Sequence, residues 1–350
     1  MQEDKLLLVG SIPFDSSKEV FTNFGRPLAP WLRSLPDGET GLRKHWISRL
    51  HYQVLALHPD LEVLRRPRKD NGVERLNPHD ASDSWLFRVK PGIESVLFCE
   101  PGWRLGFARE AVASYDLFNA MKSQGLLPAH LRFQISMPSV NSSIPRRIFE
   151  TVGDLAKVEA GYTASLEAEL KMIISKIPAE DLAIQWDCAN EIQEVYGGVA
   201  DMPKEGAIER NLEQFRRLCP LIPDRTLLGY HFCFGTLGGW PRFVPDDLEE
   251  TVNLANAVIS ASGRRVDWIH IPLLDRVSDA FLSPLAKLQP RGARVHLGVI
   301  HNMERFNERV SAARKYITDF GIGAFCGFGR ISPGELGRVL EEHLQAAKSS

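Results

Sequence analysis

Cysteine is scarce and odd in number, five among 350 residues at positions 99, 188, 219, 233 and 326. That scatter rules out a disulfide framework as the organising device, so any cysteine that matters is expected to act as a reduced ligand or nucleophile. Charge of one sign is lacking too. The 42 Lys and Arg against 44 Asp and Glu leave a formal charge of −2, which offers no basic field for a polyanion, so nucleic acid is not an expected partner. The opening MQEDKLLLVGSIPF puts acidic residues before a short apolar run. This is neither a signal peptide nor a membrane span of roughly 20 apolar residues, and a cytoplasmic location with no membrane partner is the expectation. Repeats, low-complexity tracts and Ser/Gly linkers are also missing, which favours one domain over residues 1–350.

What is present is alternation. The hydrophobic content is 44% and the charged content 25%, ordinary for a chain that buries a sizeable core. From residue 131 onward, short β-rich runs alternate with helical spacing: LRFQISM (131–137), LAIQWD (182–187), TLLGYHFC (226–233), VDWIHIP (266–272), RVHLGVIH (294–301) and GAFCGF (323–328). Helical stretches are expected at 106–124, 158–176, 207–218 and 246–260, with a last helix opened by Ser332, Pro333 and Glu335 and running to about Ala347. KLLLVGS (5–11) and the segment ending in LPDGE (35–39) bring the strands to eight. The expected fold is therefore an α/β, single (β/α)8 TIM-type barrel with a long irregular insertion after strand two, at about 40–105. The many Lys and Arg residues of 43–90 read as a solvated insertion.

Ionisable residues recur where barrel strands end, and the C-terminal strand ends are where barrels carry chemistry. His231 and Cys233, two apart on one strand, point to the same face and can chelate together. Cys326, near the end of the final strand, supplies a third donor at the same mouth. Imidazole and thiolate are the donors zinc favours, with three protein ligands and one open position in a catalytic site. Taken singly, each cysteine reads instead as a small buried hydrophobe and the histidine as a hydrogen-bonded core residue. His270 divides evenly between metal ligand and structural histidine. Asp187 and His301 stand at further strand ends, His301 as a general acid or substrate contact. Asp37 and Glu39 in PDGET are either a turn or a carboxylate pair reaching an amine or hydroxyl of the substrate, with Arg43 nearby as a substrate contact. GTLGGWP (235–241) allows a ligand close to backbone but is no phosphate loop, and GFGR (327–330) lacks the dinucleotide fingerprint.

Together these residues resemble the catalytic barrel of cobalamin-independent methionine synthase, in the superfamily that also holds uroporphyrinogen decarboxylase and zinc-dependent thiol alkyltransferases. VGSIPF (9–14) is similar to that family's Gly-Ser-Phe-Pro opening, DGE (37–39) to its His-Gly-Glu, and QWD (185–187) to its Gln-Ile-Asp. The resemblance implies that Glu39 and Asp187 bind substrate, that His231, Cys233 and Cys326 ligate zinc, and that His301 lies near the proton donor. Two features depart from the family. Pro272 stands where a further glutamate ligand is expected, with His270 on the same strand face as its substitute, and the chain has length for one barrel only, so the additional N-terminal barrel and its folate contribution are expected to be absent. The implied function is zinc-dependent alkyl or methyl transfer from an alkyl donor to a small thiol. A zinc hydrolase or lyase, a metal-free decarboxylase-like enzyme and a non-catalytic small-molecule-binding barrel remain as alternatives.

Overall fold

In the computed structural model, which describes residues 4–98 and 105–349, the β-rich runs form the strands of one parallel sheet. Its members are β1 (Leu6–Leu7) and β2 (Ser34–Pro36), then, after a separate pair made of β3 (Leu61–Arg65) and β4 (Leu86–Val89), β5 (Arg132–Pro138), β6 (Leu182–Cys188), β7 (Leu227–Phe232), β8 (Trp268–Pro272), β9 (Arg294–Ile300) and β10 (Gly321–Ala324). The strand order β1-β10-β9-β8-β7-β6-β5-β2 brings the eight parallel strands to a nearly closed barrel ringed by helices. The α/β barrel expected from the alternation is the fold of this chain.

Closure between β1 and β2 differs from the rest of the ring. Near the base it consists of an isolated parallel bridge, Leu6 to Leu32, and a Lys5 N–H to Trp31 carbonyl bond of 3.1 Å. Higher up, side chains bridge the gap until, at the top, the Ile12 N–H donates to the Gly38 carbonyl at 2.8 Å. Gln134 accepts from Ser34 Oγ on β2 at 2.7 Å and donates to the Leu8 carbonyl at 2.9 Å, while Gln185 donates to the Val9 carbonyl at 2.7 Å. Two buried amides thus satisfy backbone carbonyls that a longer strand would have paired.

Apolar burial falls into two zones. The large core lies between the outer faces of the strands and the helices, with Phe21, Phe118, Phe133, Leu166, Phe215 and Val252 among its members. Inside the barrel a small layer of Leu7, Ala183, Leu227 and Trp268 closes the floor. Above that floor the interior turns polar, and Gln134, Gln185, Asp187, His231 and His270 are all buried there.

Helix boundaries follow capping chemistry that periodicity alone misses. The helix expected from 158 begins at Val152, where Thr151 and Asp154 form a reciprocal capping box. The helix Phe107–Ser123 has no cap of its own, because its first residue follows Gly106. The buried Glu169 carboxylate instead accepts from the N–H groups of Leu105, Gly106 and Ala108 at 3.1, 2.9 and 2.5 Å, meeting the orphan donors and the positive helix end together. Ser332 is the expected N-cap and also forms a capping box with Glu335, and the helix Leu336–Ser349 follows after one 3-10 turn. None of the described helices is long and apolar enough to cross a membrane.

The insertion is built, not merely solvated. In its antiparallel pair β3/β4, Phe87 on β4 stacks at 5.9 Å on Trp85 just before that strand, and both are buried. The short helix Ser48–Gln53 buries Arg49 and His51. Charged side chains on its outer edge are exposed, as the composition suggested, but its inner side packs on the barrel mouth. Residues 99–104, including Cys99, lie outside the described residues.

Candidate functional site

Parallel pairing sets the first tier of the site. Asp187, His231 and His270 are register partners across β6, β7 and β8, so all three face the barrel axis at one level. His231 and His270 touch through their Nδ1 atoms at 2.7 Å. One ring must donate and the other accept. With His231 as donor, its Nε2 keeps a lone pair, and that buried Nε2 has no hydrogen-bond partner.

Cys233 lies one residue beyond β7, its N–H bonded to the Cys188 carbonyl at 2.9 Å. Cys326 lies two residues beyond β10, which ends at Ala324 rather than running to 328. The loop carrying Cys326 is tied to the opening segment, since the Phe328 N–H donates to the Ser11 carbonyl at 2.6 Å and the Gly329 N–H to Ser11 Oγ at 3.2 Å. The two sulfurs are 3.4 Å apart, and the ligand atoms of His231, Cys233 and Cys326 all fall within 4.8 Å of one another. Zinc–sulfur and zinc–nitrogen bonds of about 2.3 and 2.0 Å at tetrahedral angles separate donors by about 3.5–4 Å. The donor set and its spacing fit that ion. In the thiol pair, the hydrogen bond from Cys326 pulls the Cys233 pKa down against burial, helped by the Gly235 N–H at 3.3 Å. Cys326 is pushed well up by the same contact and by burial.

His270 stands one ring away from this cluster, spending its Nδ1 on His231. Burial first, then the neighbouring His231 and His296, depresses its pKa well below the usual histidine value. His301 is not in the cavity lining. Its Nε2 meets the Gly298 carbonyl at 3.1 Å and its ring stands edge-on to Phe325, at 5.3 Å.

The carboxylates divide into two kinds. Asp37 is fully engaged: Ser114 Oγ donates at 2.6 Å, the Glu39 N–H at 2.9 Å, and Arg43 closes an ion pair at 2.8 Å. Burial would raise its pKa, but Arg43 and these donors hold it low. Glu39 instead reaches the cavity, from a residue with φ of 48°. Gly10 makes room for it, since a Cβ there would lie 2.9 Å from Glu39 Oε1. Burial, then the charge of Asp37, pushes the Glu39 pKa up to about 8. Asp187 is likewise raised well above its ordinary value, by burial and then by Glu39, although Gln185 donates to it at 2.8 Å. Two carboxyl groups that resist ionisation without a cation now face one space.

That space is a cavity of about 800 Å3 including its open mouth. The strand-end residues Glu39, Asp187, His231, Cys233 and Cys326 line it, and so do residues the sequence reading did not single out: Trp46, His51, Asn190 and three arginines, Arg147, Arg242 and Arg330. Trp46 and His51 come from the insertion, which therefore walls the site. GTLGGWP does border the ligand space through Gly235, Thr236 and Leu237. Arg242 and Arg330 follow directly on the two glycine-rich stretches, a cue that was available but unread. Arg147 and Asn190 had no cue in linear sequence.

Neither family models nor curated proteins gave a match to this chain. Solved structures did. A cobalamin-independent methionine synthase from Shewanella sp. W3-18-1, in complex with selenomethionine, matches 95% of this chain and 86% of its own at 13% identity with a TM-score of 0.60. A Listeria monocytogenes protein assigned as a methionine synthase of the same type matches the same shares at 11% identity and 0.51. At such identities the likeness is one of fold.

Proposed function

We propose that this chain is a zinc-dependent enzyme that transfers an alkyl or methyl group to a small thiol, with His231, Cys233 and Cys326 as the metal ligands. The observation that carries the reading is the convergence of one imidazole nitrogen without a partner and two sulfurs, drawn from two different strand ends, inside 4.8 Å. Likeness in fold to a methionine synthase structure holding selenomethionine, a selenium analogue of a thioether amino acid, adds support. Bound zinc would supply one thing, a substrate thiol held as thiolate near neutral pH, where a free thiol with a pKa of about 8.5 is mostly protonated.

The chain's own residues do the rest. His270 fixes the ring orientation and tautomer of His231, a positioning role that second-sphere partners commonly take. Glu39 and Asp187 hold the polar end of the substrate, and a substrate ammonium arriving between them would let both ionise. Asp37 and Arg43 act at one remove, by fixing the turn that presents Glu39. His301, outside the cavity lining and edge-on to Phe325, is the proposed proton donor to the leaving group. Trp46 and the insertion limit water in the cavity.

Metal analysis of freshly purified protein, followed by X-ray absorption with and without added thiols, tests this reading. A sulfur-rich zinc shell that gains one sulfur on thiol addition is expected. A fully active metal-free protein, or a zinc shell that keeps a water in the presence of thiol, would overturn it, the second in favour of a hydrolase.

A further inference from the structure

Arg147 and Arg242 converge on one amide oxygen. Arg147 Nη1 donates to Asn190 Oδ1 at 2.8 Å and Arg242 Nη2 to the same atom at 3.1 Å. Arg242 also donates to Gln193 Oε1 at 2.7 Å, and Arg147 Nε lies 3.4 Å from Ser84 Oγ. Both guanidiniums line the cavity that holds the thiol pair. Among the described residues neither has a carboxylate in ion-pair contact. The contrast with Arg309 is informative, because that guanidinium, buried more deeply than this half-buried pair, has Asp275 at 3.0 Å.

Two like charges sharing a neutral acceptor inside a protein are costly unless something balances them. Burial, then the repulsion of Arg242, brings the Arg147 pKa down to about 9. Arg242 feels the partial relief of Cys233, and its Nε is buried without an acceptor. Arg147 has no anion around it at all among the described residues. Asn190 and Gln193, which orient the pair, lie on the short helix Asn190–Val195 that follows β6 after one residue, so the subsite is built beside the strand end that carries Asp187. A planar guanidinium pair, pre-oriented and open to a cavity, is the donor geometry that recognises a planar or tetrahedral oxyanion.

We propose that Arg147 and Arg242, held by Asn190, form an oxyanion subsite that receives an acidic group of the thiol substrate, at a different place from the ammonium that Glu39 and Asp187 would hold. The inference rests on the zinc–thiol reading for the word thiol. The oxyanion subsite itself does not need it. The space between the guanidiniums and the thiol pair then sets the length of the substrate, with its sulfur at the cysteines and its acid at the arginines.

Calorimetric titration of metal-free and zinc-loaded protein with propionate, 3-mercaptopropionate and 2-mercaptoethanol separates the two ideas. Propionate is expected to bind the metal-free protein. On the zinc-loaded protein 3-mercaptopropionate should bind about tenfold or more tighter than 2-mercaptoethanol, because only the former pairs with the two guanidiniums. Asn190→Asp places a carboxylate between the guanidiniums at almost unchanged shape. It should weaken propionate and 3-mercaptopropionate by about tenfold or more while the melting temperature holds or rises, whereas a merely structural Asn190 would leave anion binding alone. Arg147→Gln should lose the same binding, with circular dichroism to show that it remains folded. Propionate binding unchanged in Asn190→Asp, or no preference for 3-mercaptopropionate over 2-mercaptoethanol, overturns the subsite. If propionate binds and is lost in Asn190→Asp, yet zinc adds nothing to 3-mercaptopropionate, the zinc–thiol reading falls and the oxyanion subsite stands.

Discussion

Cys233 and Cys326 are 93 positions apart in sequence and 3.4 Å apart in space, so replacing either should damage one shared centre. Cys233→Ser and Cys326→Ser are each expected to lose most bound zinc and activity with the fold intact by circular dichroism, since serine is a poor zinc ligand at neutral pH. Cys219→Ser should keep its metal, because Cys219 is buried elsewhere, 3.1 Å from Tyr230 Oη. Full zinc occupancy in either of the first two would break the triad. Glu39 gives a pH prediction. Its folded pKa of about 8 lies above the ordinary 4.5, so the folded state binds more protons than the unfolded one across that window and stability falls as pH rises through it. Glu39→Gln should remove that slope, on the order of 5 kcal/mol over the full window before relaxation of the site. Urea midpoints of metal-free wild type and variant at pH 5 and pH 8 check it, and parallel curves would return Glu39 to an accommodated buried acid. His301→Gln should lower kcat and change its pH profile while zinc binding is kept, and an unchanged profile would remove His301 from proton transfer. The strand-end histidines, cysteines and carboxylates were legible in the sequence because β-strand parity and barrel geometry place them. Arg147 and Asn190 were not, because each gains its meaning only from the other.

At the level of elements, five of the eight barrel strands were readable nearly to their ends because β5 to β9 are long and apolar. β1 and β2 were legible as segments but are far shorter as strands, only two and three residues in ladder register. The insertion was the hardest piece, since neither its hairpin nor its helix Ser48–Gln53 has a clean period. Its attachment is exacting all the same. Gly161, in the helix Val152–Lys176, lies so close to the insertion that a Cβ there would sit 2.0 Å from the Val96 carbonyl oxygen. Backbone cannot yield as a flexible side chain can. Gly161→Ala is therefore expected to cost about 1–3 kcal/mol despite its better helix propensity, and to push the insertion outward. Faster quenching of Trp46 fluorescence by acrylamide would report the loosened wall, and a stabilised protein with unchanged quenching would show that helix and insertion are not in register contact.

Across the whole molecule, stability and chemistry reside in different places. The main core lies outside the strands and the proposed metal site lies at the mouth, so chelation should abolish activity and leave cooperative unfolding in place, with a drop in melting temperature set by the lost ligand term alone. Unfolding on chelation, measured by circular dichroism, would make the metal structural. A last consequence follows from the way the ring is sealed between β1 and β2. Seven neighbouring strand pairs share backbone ladders, whereas this junction is held by a bridge at the base, by glutamine amides above it and by a single backbone bond at the top, from the Ile12 N–H to the Gly38 carbonyl at 2.8 Å. Amide–carbonyl contacts of that kind can lengthen one at a time, without the cooperative loss of a ladder. That junction is thus the least continuous joint of the ring. Gly10 and Ser11 stand on one side of it and Glu39 on the other, beside the one Ile12–Gly38 backbone bond, so the ring is expected to yield there before the spacing of β5 to β9 or of the His231–His270 pair changes. Protection of backbone amides against hydrogen exchange should be lowest along that joint and highest opposite it, the pattern of a ring that opens at its clasp.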